Sequence, residues 1–156
     1  MLTSIEQVPN YLAVFPWLAT SGMPKADQFG AIARAGYQVV INLAVSTSPG
    51  QLPNEAELVE RLGMVYTHIP VDWESPQAAD LQRFFEALES HPGEKIWVHC
   101  VLNYRVSAFV YLYRTLRMGT PPSEAWADLT RIWTPDGIWA AWMDSLAHYG
   151  STRTKD

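Results

Sequence analysis

The chain has 156 residues, 48% hydrophobic and 17% charged, a balance that fits one folded domain and excludes a disordered segment. A formal net charge of −5 argues against an extended nucleic-acid surface, which needs a basic face, yet leaves room for one phosphate held by backbone amides. A lone cysteine excludes an internal disulfide, and no apolar run reaches the ~20 residues that span a bilayer.

Residues 1–6 lack the basic stretch and apolar region of a secretory leader, so a cytoplasmic location is expected, without membrane or nucleic acid as partners. Residues 11–18 predict an opening strand, with Pro16 placing it at a sheet edge or strand end. Helical spacing follows at Phe29, Ile32 and Ala33, with Pro24 suited to the first turn and Gly36 to the stop. Residues 37–43 form a short β-branched run, the pattern of a buried parallel strand. After a loop containing Ser46, Ser48, Pro49 and Gly50, residues 54–62 read as a helix and 64–69 as a strand. A helix opened by Ser75 and Pro76 runs through Leu81, Phe84, Phe85 and Leu88. Residues 95–99 then make a strand and 107–118 a helix. Thr120-Pro121 and Thr134-Pro135 each pair a capping hydroxyl with a first-turn proline and predict two further helices within 121–149. Strands alternating with helices predict one α/β domain over residues 1–156, with a mainly parallel central sheet of four to five strands flanked by helices. Ligands of such sheets bind beyond the carboxyl ends of the strands, where Cys100 falls.

A thiol between a buried strand and a helix N-terminus faces converging N–H dipoles, which favour a thiolate and can cradle the oxygens of a phosphate under attack. Ser107, seven positions later, is placed to donate a hydrogen bond to the sulfur. A buried, inert cysteine is the alternative reading.

His99-Cys100 followed by Ser107 resembles the signature loop of dual-specificity-type tyrosine phosphatases: His-Cys, five residues, Arg, then Ser or Thr. Upstream, Ser21-Gly22-Met23-Pro24 before a helix, Val40-Ile41-Asn42-Leu43, and His68-Ile69-Pro70-Val71-Asp72 are similar to the small bacterial branch of that superfamily. The resemblance runs from about residue 12 to about residue 118. It implies a tyrosine-phosphatase-like fold, a phosphocysteine intermediate on Cys100, and phosphate oxygens held along Val101, Leu102, Asn103, Tyr104, Arg105, Val106 and Ser107. No cofactor or metal is expected.

The arginine of the family falls six residues after the cysteine, where this chain has Val106, and Arg105 lies one residue early, at a position usually glycine. Asn103 replaces another glycine and tolerates positive φ better than most residues. Either the loop is shortened by one residue or it has full length with substitutions; the spacing of Ser107 from Cys100 favours the second. Under that alignment Val106→Arg is expected to raise activity. Asp72 resembles the general acid that such chemistry needs, with Glu74 in reserve. His99 reads as an orienting group behind the cysteine, His68 as structural, and His91 and His148 as surface residues. Trp126, Trp133, Trp139 and Trp142, with Tyr149 beyond them, have helical spacing that suits a core, a homodimer or partner surface being the other reading.

Three functions fit. A cysteine-dependent phosphatase acting on a phosphoprotein or small phosphoester comes first, catalysed by Cys100, Arg105, Asp72 and Ser107. A non-catalytic phosphate reader comes second. A sulfurtransferase comes third, because rhodanese-like loops also carry a reactive cysteine and many have an arginine five residues later, as here.

Overall fold

Residues 4–155 are described by the structure, a computed structural model, with side chains described through residue 146; His148 and Tyr149 lie outside those side chains. Strands β1 (Leu12–Phe15), β2 (Leu18–Ser21), β3 (Val39–Asn42), β4 (Val65–His68) and β5 (Ile96–His99) build one five-stranded sheet of order β1-β2-β5-β3-β4. The pairs β2–β5, β5–β3 and β3–β4 are parallel, and only β1 runs antiparallel, against β2. The expected mainly parallel sheet is therefore present, with one difference at its start. The predicted opening strand is a hairpin, because the chain reverses at Pro16 and Trp17 and the second arm continues to Ser21. Proline has no N–H for a ladder, so the turn falls where a strand would lose a bond.

Helices α1 (Ala26–Arg34), α2 (Glu55–Arg61), α3 (Ala78–Glu89), α4 (Tyr104–Leu116), α5 (Pro122–Leu129) and α6 (Gly137–Lys155) flank the sheet. Successive strand residues face opposite sides, so each strand feeds two cores. Val39, Ile41, Ile96 and Val98 pack with Phe84, Phe109 and Trp139. Ala19, Val40 and Trp97 pack with Phe29, Ile32 and Val59 on the other side. Burial on both faces explains why the parallel strands read as continuous apolar runs rather than alternating ones. No helix among the described residues is long and apolar enough to cross a membrane.

The helix after Cys100 begins at Tyr104, earlier than the predicted start at residue 107. Its N-cap, Asn103, takes the left-handed conformation (φ 69°) and closes the loop in very few residues. This early start decides where Arg105 and Val106 point.

Candidate active site

β5 is the central strand, and the chain leaves its end at Cys100. Parallel β3 and β4 release their following loops on the same edge of the sheet. A cavity of about 480 Å³ opens there, lined by Cys100, Arg105, Tyr104 and Leu102, by Asp72 after β4, and by Thr47 after β3.

The loop wraps this cavity with its carbonyls tied outward. The Cys100 carbonyl faces His99 Nδ1 at 3.2 Å, and the Val101 carbonyl accepts the Met23 N–H at 2.9 Å. The Leu102 carbonyl accepts Asn10 Nδ2 at 2.8 Å, and the Asn103 carbonyl accepts the Ser107 N–H at 2.9 Å. In a planar trans peptide the C=O and the following N–H point in opposite directions, so these anchors turn the amides of residues 101–104 inward. Among the described residues, none of the amides of residues 101–106 donates to a protein acceptor. Unpaired converging donors at a helix N-terminus are suited to hold an anion, since leaving them without an acceptor is costly.

Asn103 and Asn10 are the non-glycine residues with positive φ among those described, and they bond each other. Asn103 Nδ2 donates to the Asn10 carbonyl at 2.8 Å and to Thr20 Oγ1 at 3.0 Å. Left-handed backbone costs a non-glycine residue roughly 1–2 kcal/mol, and these bonds offset it. Asparagine thus fills a position where glycine is usual and fastens the loop to the N-terminal segment as well.

Gly22 makes a second contact with the loop. A Cβ built on it would lie 2.5 Å from the Val101 carbonyl oxygen and 3.2 Å from that of Pro9. Both atoms are backbone, so neither can swing aside. Gly22→Ala is expected to destabilise the chain by about 1–3 kcal/mol and to weaken inorganic phosphate binding, measured by thermal melts with and without phosphate. An unchanged melt and an unchanged phosphate response would show that the loop is not held at this crossing.

Arg105 and Val106 stand in the first turn of α4 and diverge. Arg105 lines the cavity, and its Nη1 donates to the Val71 carbonyl at 2.8 Å. Val106 is 0% exposed and belongs to the core around Phe109. The full-length alignment is thereby corrected: the loop is shortened, with residues 101–104 between cysteine and arginine. Val106 brings no side chain to the cavity, because the helix turns it down onto the sheet. Ser107 is also repositioned. Its N–H goes to the Asn103 carbonyl and its hydroxyl to Asn103 Oδ1 at 3.0 Å, so neither the amide nor the hydroxyl reaches the anion site or the thiol.

Asp72 is exposed at the cavity, with Oδ1 accepting the Glu74 N–H at 2.9 Å. Glu74 is exposed and is not part of the cavity lining.

His99 lies fully buried behind the loop and does bridge the Cys100 carbonyl to another group, Glu55 Oε2 at 2.7 Å. The carbonyl can only accept, so Nδ1 carries a hydrogen, and one proton lies between Nε2 and Glu55. Burial holds the neighbouring Tyr66 phenol well above its usual range, and the charge of Glu55 adds to this. Glu55 escaped the sequence reading because nothing local links the start of a helix to a strand end 44 residues away. Removing one partner of a buried pair costs about 3–5 kcal/mol. Glu55→Ala should therefore lower Tm by about 6 °C or more, with Glu55→Gln intermediate in a thermal melt. A drop under about 2 °C would mean the pair carries little stability.

A cysteine at the end of the central parallel strand, an amide-lined loop and an arginine in the first helical turn match the tyrosine-phosphatase-like fold that the resemblance implied. A crystal structure described as "Putative phosphatase (DUF442)" from Shewanella putrefaciens CN-32 superposes with a TM-score of 0.83 at 34% identity, covering 93% of this chain and 95% of that one. The chain belongs to this DUF442 family. P. aeruginosa TpbA, solved in complex with pTyr, shares the fold at 14% identity with a TM-score of 0.70, over 97% of this chain and 94% of that one. The "Beta-lactamase hydrolase-like protein" of Xylella fastidiosa (strain Temecula1 / ATCC 700964) is 40% identical over 86 residues, 53% of this chain. The chain spans about a fifth of the length of the curated relatives it matches. No family model matches it.

Proposed function

We propose that the chain is a phosphoric monoester hydrolase working through Cys100. The observation that carries this reading is the set of amides at residues 101–106, without protein acceptors, in a loop that shares one cavity with Cys100, Arg105 and Asp72. The Cys100 thiolate attacks phosphorus, forming the S–P bond as the ester P–O bond breaks. Asp72 gives its proton to the departing oxygen. The loop amides and the Arg105 guanidinium hold the equatorial oxygens, whose charge grows in the transition state. Water then attacks phosphorus, its proton passes to Asp72, and the S–P bond breaks to return the thiolate.

Among the described residues the cavity lining contains one cationic side chain, Arg105, beside the carboxylate of Asp72. This suits a singly phosphorylated group better than a polyphosphorylated one, whose charge demands several cations. A small phosphoester or a phosphorylated protein side chain meets that requirement.

A second reading is sulfur transfer, favoured by one observation. Arg105, five residues after Cys100, is the arginine that lines the cavity, and that is the spacing of many rhodanese-like loops. The carboxylate at the cavity favours phosphate chemistry, because ester cleavage needs an acid and persulfide transfer does not. The deciding measurement runs p-nitrophenyl phosphate hydrolysis and thiosulfate-to-cyanide transfer on one preparation. Phosphate release is expected; sulfur transfer without it would replace the first reading with the second. Tight inorganic phosphate binding with neither activity would leave a phosphate reader.

A further inference from the structure

Asp72 stands between two carbonyls that are each fastened from a different side. The Val71 carbonyl receives Arg105 Nη1 at 2.8 Å, and the Trp73 carbonyl receives the indole N–H of Trp139 at 2.8 Å. Trp139 is 1% exposed and stacks on the Trp73 ring, with centroids 5.4 Å apart and planes 29° from parallel. Trp133 completes the cluster, 5.4 Å from Trp73 and lying flat on Tyr104 at 4.8 Å and 2°. Trp139 belongs to α6, so a helix distant from Cys100 in sequence reaches the segment that carries the carboxylate.

We infer that Trp139 is a positioning residue for Asp72: its indole N–H, bonded to the Trp73 carbonyl, holds the residue 71–75 segment so that the carboxylate faces the cavity over Cys100. The inference rests on the reading of Asp72 as general acid. Two features support a role beyond packing. The bond ends on a backbone oxygen next to the acid, where a shift of the carbonyl swings the Asp72 side chain directly. Trp133 occupies the same cluster, yet its own indole nitrogen is buried without a partner, so stacking and hydrogen bonding are separable there.

The test compares Trp139→Phe, which keeps a ring and deletes the donor, with Trp133→Phe, which alters the same cluster without touching that bond. Two substrates divide the chemistry. p-Nitrophenyl phosphate leaves as a stabilised phenolate and needs little protonation, whereas phenyl phosphate leaves poorly and needs the acid. A misplaced catalytic group typically costs on the order of 10²-fold. Trp139→Phe is expected to lower kcat for phenyl phosphate by about 10- to 100-fold while p-nitrophenyl phosphate falls by less than about threefold, and Trp133→Phe should leave the ratio of the two rates unchanged. Equal losses on both substrates, or the same ratio change in Trp133→Phe, would reduce Trp139 to a packing residue.

A second readout needs no turnover. Hydrogen exchange in the segment 71–76 should quicken by about tenfold or more in Trp139→Phe, while β3 and β5 exchange as in the wild type. Unchanged exchange overturns the clamp. If the wild type hydrolyses neither ester, the reading of Asp72 as acid falls, and the exchange result still judges the clamp. Should Trp139→Phe not fold, the Trp139 indole N–H of the wild type, followed by NMR, must exchange as slowly as core amides. Exchange at the rate of a free indole sinks the inference.

Discussion

Cys100→Ser is expected to lower p-nitrophenyl phosphate hydrolysis by at least about 10⁴-fold while leaving inorganic phosphate binding within a few-fold of the wild type. A thiol is intrinsically a far better nucleophile than a hydroxyl. A serine hydroxyl is far less acidic and would need a base. The adjacent His99 does not supply one: both its nitrogens are engaged, one by the Cys100 carbonyl and the other by Glu55. The amide cradle itself does not depend on the sulfur, so binding should survive. Initial rates and calorimetric phosphate titration separate the two effects. A serine variant within tenfold of the wild-type rate would place the chemistry elsewhere.

Arg105→Ala should cost about 10²–10³ in kcat/KM, the usual loss on removing a preorganised donor from a developing oxyanion. The planar guanidinium can spend Nη1 on the Val71 carbonyl and still present other N–H groups to the anion. A lysine has one compact ammonium and cannot serve both ends with the same geometry, so Arg105→Lys should fall well below the wild type. Val106→Arg supplies the complementary result. Val106 is fully buried in the core, and a cation there has no partner, so this variant should lose stability by several kcal/mol and gain no activity. A folded Val106→Arg protein with raised activity would restore the full-length alignment of the loop.

Local signals carried much of the fold. A β-branched run marked β3, Gly36 marked the end of α1, and residues 95–99 read as a strand ending at Cys100. The opening hairpin was missed because Pro16 can end a strand or turn it, and the choice depends on whether a neighbour such as β5 is present to pair with the returning arm. In the site, Cys100 was nameable from its place between a strand and a helix, and Asp72 and Arg105 only through the family resemblance. Glu55, Asn10 and Trp139 were not, since each acts across a separation that only folding closes.

The sequence by itself determined that a cysteine would follow a buried parallel strand, and that a helix would come after it with Arg105 close before its predicted start. Only the tertiary structure decided the phase of that helix. Helical residues one apart point about 100° apart, and the left-handed Asn103, held by Asn10 and Thr20, starts the first turn at Tyr104. That single phase puts Arg105 over the cavity and Val106 in the core, and its cause lies in contacts from segments far away in the chain.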